Sequence, residues 1–233
     1  MLVDKTTLTD YISCMMKFTH LPTEFEQLKK VTQPSGARHY TTLDGVSYPS
    51  VTTILAQHTE PGITKWVQRV GKVEAAKISK RAATKGTKFH ELVEGYLNNL
   101  DLPELSIFER EIFNIAKPHL DKIDNIRAQE AALFSHHLRL AGTVDIVADY
   151  EGRRSIIDLK TSKREKPPEY VQHYFMQAAA YAVMFEERTG IPISNLVLII
   201  AVDDGMAQVM KSKRDLHIKD LLHYRDQYEA KNL

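Results

Sequence analysis

The chain has 233 residues, 43% hydrophobic and 26% charged, with a formal net charge of +1. That is the composition of an ordinary globular protein, long enough to bury a sizeable core as one domain over 1–233. The near-neutral total excludes a uniformly basic, histone-like molecule and leaves nucleic-acid affinity to local patches.

Cys14 is the single cysteine, which excludes an intramolecular disulfide, a CxxC zinc site and a cysteine-ligated iron–sulfur cluster, and points to a reducing interior. The first residues, MLVDKTTLTDYISCMMKF, include Asp4 and Asp10 and carry neither a signal-peptide apolar block nor an Arg-rich transit pattern. No apolar run approaches the roughly 18 residues of a membrane span. The expected location is cytoplasmic, in a bacterial or phage-infected cell, without membrane association.

In chain order, Asp44-Gly45 between two β-prone runs predicts a hairpin, after which Ser50 caps a short helix through VTTILAQ. These make an N-terminal unit of about 38–60. A helical region over 64–120 follows, with one helix from Thr64 to Ala83, a break at Gly86, a second helix from Thr87 to Leu100, and a third broken near Pro118. From about Ile126 the hydrophobic period becomes two, and EAALFSHHLRLAGTVDIVADY and RRSIIDLK read as strands. Pro167-Pro168 opens a helix that stops at Gly190. The strand NLVLIIAV, a turn at Asp203-Asp204-Gly205, another strand and a closing helix from about Arg214 complete a core over 126–233. The order of elements predicts an α/β layer with a mixed sheet.

Within GTVDIVADYEGRRSIIDLKTSK, Asp145 and Asp158 each interrupt an apolar run. A two-residue turn at Glu151-Gly152 sets these acids opposite each other across the hairpin. Like charges so placed destabilise a sheet unless something positive lies between them. Asp158 and Lys160 share a strand face, while Leu159 points away with its carbonyl free to act as a hard ligand. Two carboxylates, a carbonyl and waters suit Mg²⁺ or Mn²⁺. The alternative is a pair of exposed charges on the solvent face of the hairpin.

Further elements stand in order around this hairpin: GTKFHELVE at 86–94, Glu130, GTVD at 142–145, DLKTSK at 158–163 and QAAAY at 177–181. Together they resemble the PD-(D/E)xK nuclease superfamily and its RecB-like branch. With YPSVTTIL at 48–55 they are most similar to the mitochondrial genome maintenance exonuclease family and its bacterial and phage relatives. The resemblance implies a restriction-endonuclease-like core, with a central mixed β-sheet flanked by helices and a helical cap over the active site. It also implies a metal-dependent exonuclease on single-stranded DNA, using one or two Mg²⁺ or Mn²⁺ ions.

Residue by residue, the resemblance makes His90, Asp145, Asp158 and the Leu159 carbonyl metal ligands, Lys160 the partner of the attacking water, and Glu130 a supporting carboxylate. It puts Gln177 and Tyr181 near the centre, against the DNA backbone or Lys160. His136 and His137 match no element of the pattern.

The segment 64–88 carries Lys65, Arg69, Lys72, Lys77, Lys80, Arg81, Lys85 and Lys88 against Glu74 alone. This asymmetry suits phosphate, and Trp66 or Tyr96 could stack an unpaired base. A solvated helix face is the plainer reading. A flap endonuclease, sharing every catalytic residue, and a DNA-binding adaptor without catalysis remain the competing functions. Cleavage polarity and protein partners are not written in the sequence.

Overall fold

The computed structural model describes residues 17–203 and 205–232. Asp4, Asp10, Cys14 and Asp204 lie outside the described residues.

A small antiparallel sheet begins the structure, with strands β1 (Lys29–Thr32), β2 (Arg38–Thr41) and β3 (Ser47–Pro49). The Asp44-Gly45 hairpin forms, Gly45 taking φ +85°. β1 was not anticipated, because its sequence KKVT is exposed throughout and has no apolar alternation to mark it.

Ser50 caps α1 (Val51–Val70), its side chain accepting from the Thr53 N–H at 3.1 Å. Two expected boundaries are corrected here. The helix continues through an exposed Pro61 instead of ending after one short segment. The break falls at Gly71, where φ is +85°, and α2 (Lys72–Leu97) runs unbroken through Gly86. Only the position that adopts positive φ interrupts a helix; a glycine in ordinary helical geometry costs about 1 kcal/mol and no more. Similarly, α3 (Ile107–Leu120) carries Pro118 in its last turn and ends two residues later than expected.

The central sheet has the order β4-β5-β6-β7-β8, with β4 (Ile123–Ser135), β5 (Leu140–Tyr150), β6 (Arg153–Ser162), β7 (Asn195–Val202) and β8 (Ala207–Lys213). All neighbours are antiparallel except β6 and β7, which run parallel and are joined through α4 (Gln172–Thr189). This is the mixed sheet expected from the order of elements. Helix α5 (Ile218–Asn232) closes the fold.

Two cores cover the two sheet faces. On one, Leu196, Leu198 and Ile200 of β7 pack with Ala178, Ala179 and Phe185 of α4. On the other, Val197, Ile199 and Ala201 pack with Phe89 and Val93 of α2 and Phe113 of α3. β7 therefore reads as a continuous apolar run because both of its faces are covered. Among the described residues no helix is long and apolar enough to cross a membrane.

Candidate functional site

Glu151 (φ +49°) and Gly152 (φ +73°) make the two-residue turn between β5 and β6. The ladder runs from Tyr150 opposite Arg153 to Ile146 opposite Ile157. Asp145 and Asp158 occupy the next position of that register, where regular pairing stops. The same level is irregular on the other side: β4 and β5 pair at Gln129/Ile146 and at Ala131/Val144, while Glu130, opposite Asp145, is skipped and adopts φ +44°.

Facing alternation slips there too. Val144 and Val147 both reach the α4 core, as do Ala128 and Ala131, although a regular strand alternates every second residue. Such a local irregularity re-aims side chains beside functional sites. Three carboxylates on adjacent strands are thus brought to one level without stacking face to face.

Asp145 turns its carboxylate toward β6, where Oδ2 accepts the Leu159 N–H at 2.8 Å. Lys160 Nζ lies 2.5 Å from Asp158 Oδ2 and 3.9 Å from Asp145 Oδ2, and donates to the Leu159 carbonyl at 3.2 Å. The positive charge required between the two acids is therefore supplied within the chain by Lys160. From α2, His90 reaches across: Nδ1 is 2.9 Å from Glu130 Oε1, and Nε2 is 3.1 Å from the Leu159 carbonyl and 3.9 Å from Asp145 Oδ2.

Asp145 and Asp158 are buried, at 8% and 1% exposure. Burial pushes the Asp158 carboxyl upward, Lys160 opposes this, and the neighbouring Asp145 adds to it. For Lys160, burial disfavours the ammonium, but Asp158 and Asp145 outweigh it and hold its pKa up to about 12. Burial likewise acts against a charged His90 ring, and the Glu130 hydrogen bond and Asp145 overcome it and raise its pKa.

Does this donor set suit a divalent cation? Ligand atoms of His90, Glu130 and Asp145 all lie within 4.8 Å of one another. Asp158 Oδ1 is buried without a hydrogen-bond partner, and Oδ2 meets only the Lys160 ammonium. Buried carboxylate oxygens are ordinarily satisfied, so this oxygen-rich pocket fits a hard cation. The grouping brings Glu130 as close to the imidazole as any ligand pair, a proximity that depends on the backbone irregularity at Glu130 and leaves no mark in sequence spacing.

Gly142 owes its identity to Tyr181. A Cβ at Gly142 would lie 2.8 Å from both Cε1 and Oη of that ring. Tyr181 is 2% exposed, and Gln177 Nε2 donates to its hydroxyl at 3.4 Å. This corrects one part of the sequence reading: Tyr181 presents no surface for a nucleic-acid backbone and instead supports β5 from below. Gln177 is 9% exposed and borders an open cleft next to Lys160.

Of the basic residues, Lys65, Arg69 and Lys72 are exposed, whereas Lys85 pairs with Asp203 and Lys88 with Glu91 at 2.8 Å. Tyr96 is not free to stack a base: it packs edge-on against Phe18 and Phe113 and donates to Asp121 at 2.5 Å. Trp66 borders the cleft. Sequence reading missed Tyr174, whose ring centroid lies 5.1 Å from Lys160 Nζ. Its spacing three residues before Gln177, on the same helix face, was the available signal.

A family model described as the PD-(D/E)XK nuclease superfamily matches residues 104–227. Among curated proteins, the chain is 27% identical over 177 residues to mitochondrial genome maintenance exonuclease 1 of Homo sapiens, covering 67% of this chain and 50% of that one. The Xenopus tropicalis protein of the same name is 29% identical over 199 residues, covering 78% and 55%. This chain spans about half the length of the curated relatives it matches. A solved structure described as an exonuclease, from Eubacterium rectale, aligns with a TM-score of 0.45 and 14% identity over 64% of this chain and 65% of its own.

Proposed function

The chain belongs to the PD-(D/E)XK nuclease superfamily, with its mixed restriction-endonuclease-like sheet, and from that premise we propose that it is a Mg²⁺- or Mn²⁺-dependent deoxyribonuclease that hydrolyses single-stranded DNA from free ends. The observation that carries this reading is Asp158: a buried carboxylate whose Oδ2 meets the Lys160 ammonium while Oδ1 has no partner, beside Asp145 and His90. Fully satisfied carboxylates are the rule in a purely structural buried ion pair.

Asp145, Asp158, His90 and the Leu159 carbonyl would hold one or two ions, with Glu130 anchoring His90 through Nδ1 or joining the ligand set. The bound ion would supply Lewis-acid activation of the phosphodiester. Lys160, kept protonated by two carboxylates, acts as a hydrogen-bond donor that orients the attacking water and offsets charge developing on the phosphate. Gln177 borders the approach to Lys160 and offers an amide to the phosphate. The exposed cations Lys65, Arg69 and Lys72 draw the strand along α1 and α2, whereas Lys85 and Lys88 must first exchange their acidic partners.

End-labelled linear single strands, duplexes and circular single strands, incubated with Mg²⁺ or Mn²⁺, test the reading. Wild type should degrade linear single strands and spare circles, and Asp158→Ala and Lys160→Ala should be inert. Cutting of circles would replace the exonuclease by the flap-type endonuclease. Binding without cleavage by the wild type would leave the adaptor.

A further inference from the structure

The Lys160 ammonium has N–H donors and no acceptor, and its neighbours are of two kinds. The first kind is oxygen: Asp158 Oδ2 at 2.5 Å, the Leu159 carbonyl at 3.2 Å and Asp145 Oδ2 at 3.9 Å. The second is the ring of Tyr174, whose centroid lies 5.1 Å from Nζ. That is inside the roughly 6 Å over which a ring face attracts an ammonium. Asp145 and Asp158 are the acidic partners of Lys160 among the described residues.

The oxygens around Lys160 are the same ones that suit a divalent cation. A cation beside them offsets their charge and repels the ammonium, so their hold on Lys160 weakens when the site is filled. The ring face escapes that competition. A hard cation prefers oxygen ligands, whereas the attraction between Tyr174 and Lys160 comes from the quadrupole of the ring. A carboxylate also draws an N–H into a directed hydrogen bond. A ring face attracts the charge as a whole and leaves N–H groups available for water or phosphate.

Tyr174 is set for this part by the first turn of α4, where its N–H donates to the Val171 carbonyl at 3.0 Å. Its side chain is partly buried against the α4 core. The His173 ring packs beside it with centroids 3.9 Å apart. His58 of α1 stands 5.9 Å from His173 and is tied to the Tyr224 hydroxyl of α5 at 2.7 Å. Rings from α1, α4 and α5 therefore back Tyr174. Burial raises the pKa of its phenol above the ordinary value, so the ring is uncharged at neutral pH. Gln177, one turn further along the same helix face, gives its amide to the Tyr181 hydroxyl instead.

We propose that Tyr174 is a positioning residue for Lys160: its ring face holds the ammonium at the reaction centre while the oxygens of Asp145, Asp158 and Leu159 serve a bound ion. The inference rests on the nuclease reading and deepens it. Tyr174 stands outside the positions marked by the family resemblance, and its place over Lys160 carries the argument.

Tyr174→Phe keeps the ring face and Tyr174→Leu removes it, and two measurements compare them with wild type. In cleavage of linear single-stranded DNA with Mg²⁺, Tyr174→Leu should lower kcat about tenfold and leave KM within about twofold, the pattern of an interaction used in the transition state. Tyr174→Phe should stay within about threefold of the wild-type kcat, because the quadrupole remains. Without DNA, protein carrying ¹³C-labelled lysine is titrated with Mg²⁺ and followed by NMR. The Lys160 ε-methylene signal, identified by its absence from Lys160→Ala, should be displaced by the Tyr174 ring current and stay displaced at saturating Mg²⁺. The displacement should persist in Tyr174→Phe and vanish in Tyr174→Leu. The wild-type titration stands by itself if Tyr174→Leu does not fold. Four results, with wild type cleaving DNA throughout, overturn the positioning role and leave the nuclease reading intact: an unchanged kcat in Tyr174→Leu, a raised KM with kcat retained, equal damage in both variants, or loss of the displaced signal as Mg²⁺ saturates. A wild type that cleaves no DNA overturns both.

Discussion

Two aspartates in this molecule, each beside lysine, differ in what their oxygens touch. Asp121, at the end of α3, is about one-third exposed and fully served: Oδ1 accepts from Lys17 at 2.6 Å and from the Tyr96 hydroxyl at 2.5 Å, and Oδ2 accepts from Lys117 at 2.9 Å. Burial works to raise its pKa, yet the donors hold it at about 2. Asp158 is buried, meets Lys160 alone through Oδ2, and has Oδ1 without a partner. A carboxylate that stabilises a fold is surrounded by donors; one kept ready to bind something else is protected from them.

The sharpest way to break this comparison is to neutralise each acid in turn. Asp158→Asn should lower DNA cleavage about 1,000-fold, within the range for removing a preorganised electrostatic group, with some loss of melting temperature because the Lys160 ammonium is left with Asp145 alone, at 3.9 Å. A large loss of stability together with retained cleavage would make Asp158 the structural residue and reverse the argument.

Next in size, Gly142→Ala should cost about 1–3 kcal/mol, since the new methyl meets the buried Tyr181 ring and neither β5 nor α4 can withdraw freely. Chemical denaturation measures this. The double variant with Tyr181→Ala should show less than the sum of the two single effects, because the clash is removed. Full additivity would mean that Tyr181 does not support the Asp145 strand through Gly142.

Asp121→Asn should have the smallest effect, about 1 kcal/mol after allowance for solvent screening, or about 2–4 °C in melting temperature for a chain of this size, with cleavage unchanged. The pKa of Asp121 is lowered from 3.8 to about 2 on folding. Its contribution is therefore complete above pH 4 and disappears as the pH falls from about 4 to about 2. Melting curves of wild type and variant should converge over that window and stay apart above it. A constant offset at all pH values would show that the lost hydrogen bonds, and not the charge, account for the difference.

Much of the fold was legible because its signals are local. The Asp44-Gly45 turn, the Ser50 cap, the alternation of β5 and β6, and the stop at Gly190 each depend on residues within a few positions of one another. The helix break was misplaced from Gly71 to Gly86 because glycine alone does not disclose its φ; the structure must require the positive value. β1 went unseen because an exposed polar strand is recruited by its partner and not by its own pattern. Among the site residues, His90 and Glu130 could be paired only through resemblance, since 40 positions separate them and no periodicity spans that distance.

The sequence by itself determined the register of the β5–β6 hairpin, hence that Asp145 and Asp158 share one level, and it determined that Lys160 projects with Asp158. These follow from a two-residue turn and the alternation of a strand. Tertiary structure alone decided that β4 departs from regular pairing at Glu130, that α2 brings His90 against the Leu159 carbonyl, and that Tyr181 lies beneath Gly142. It also decided that α1 and α4 enclose an aromatic cleft ending at Lys160. Those outcomes depend on how helices distant in sequence pack on the two sheet faces, and that packing is fixed by the shapes of both cores and by no single segment.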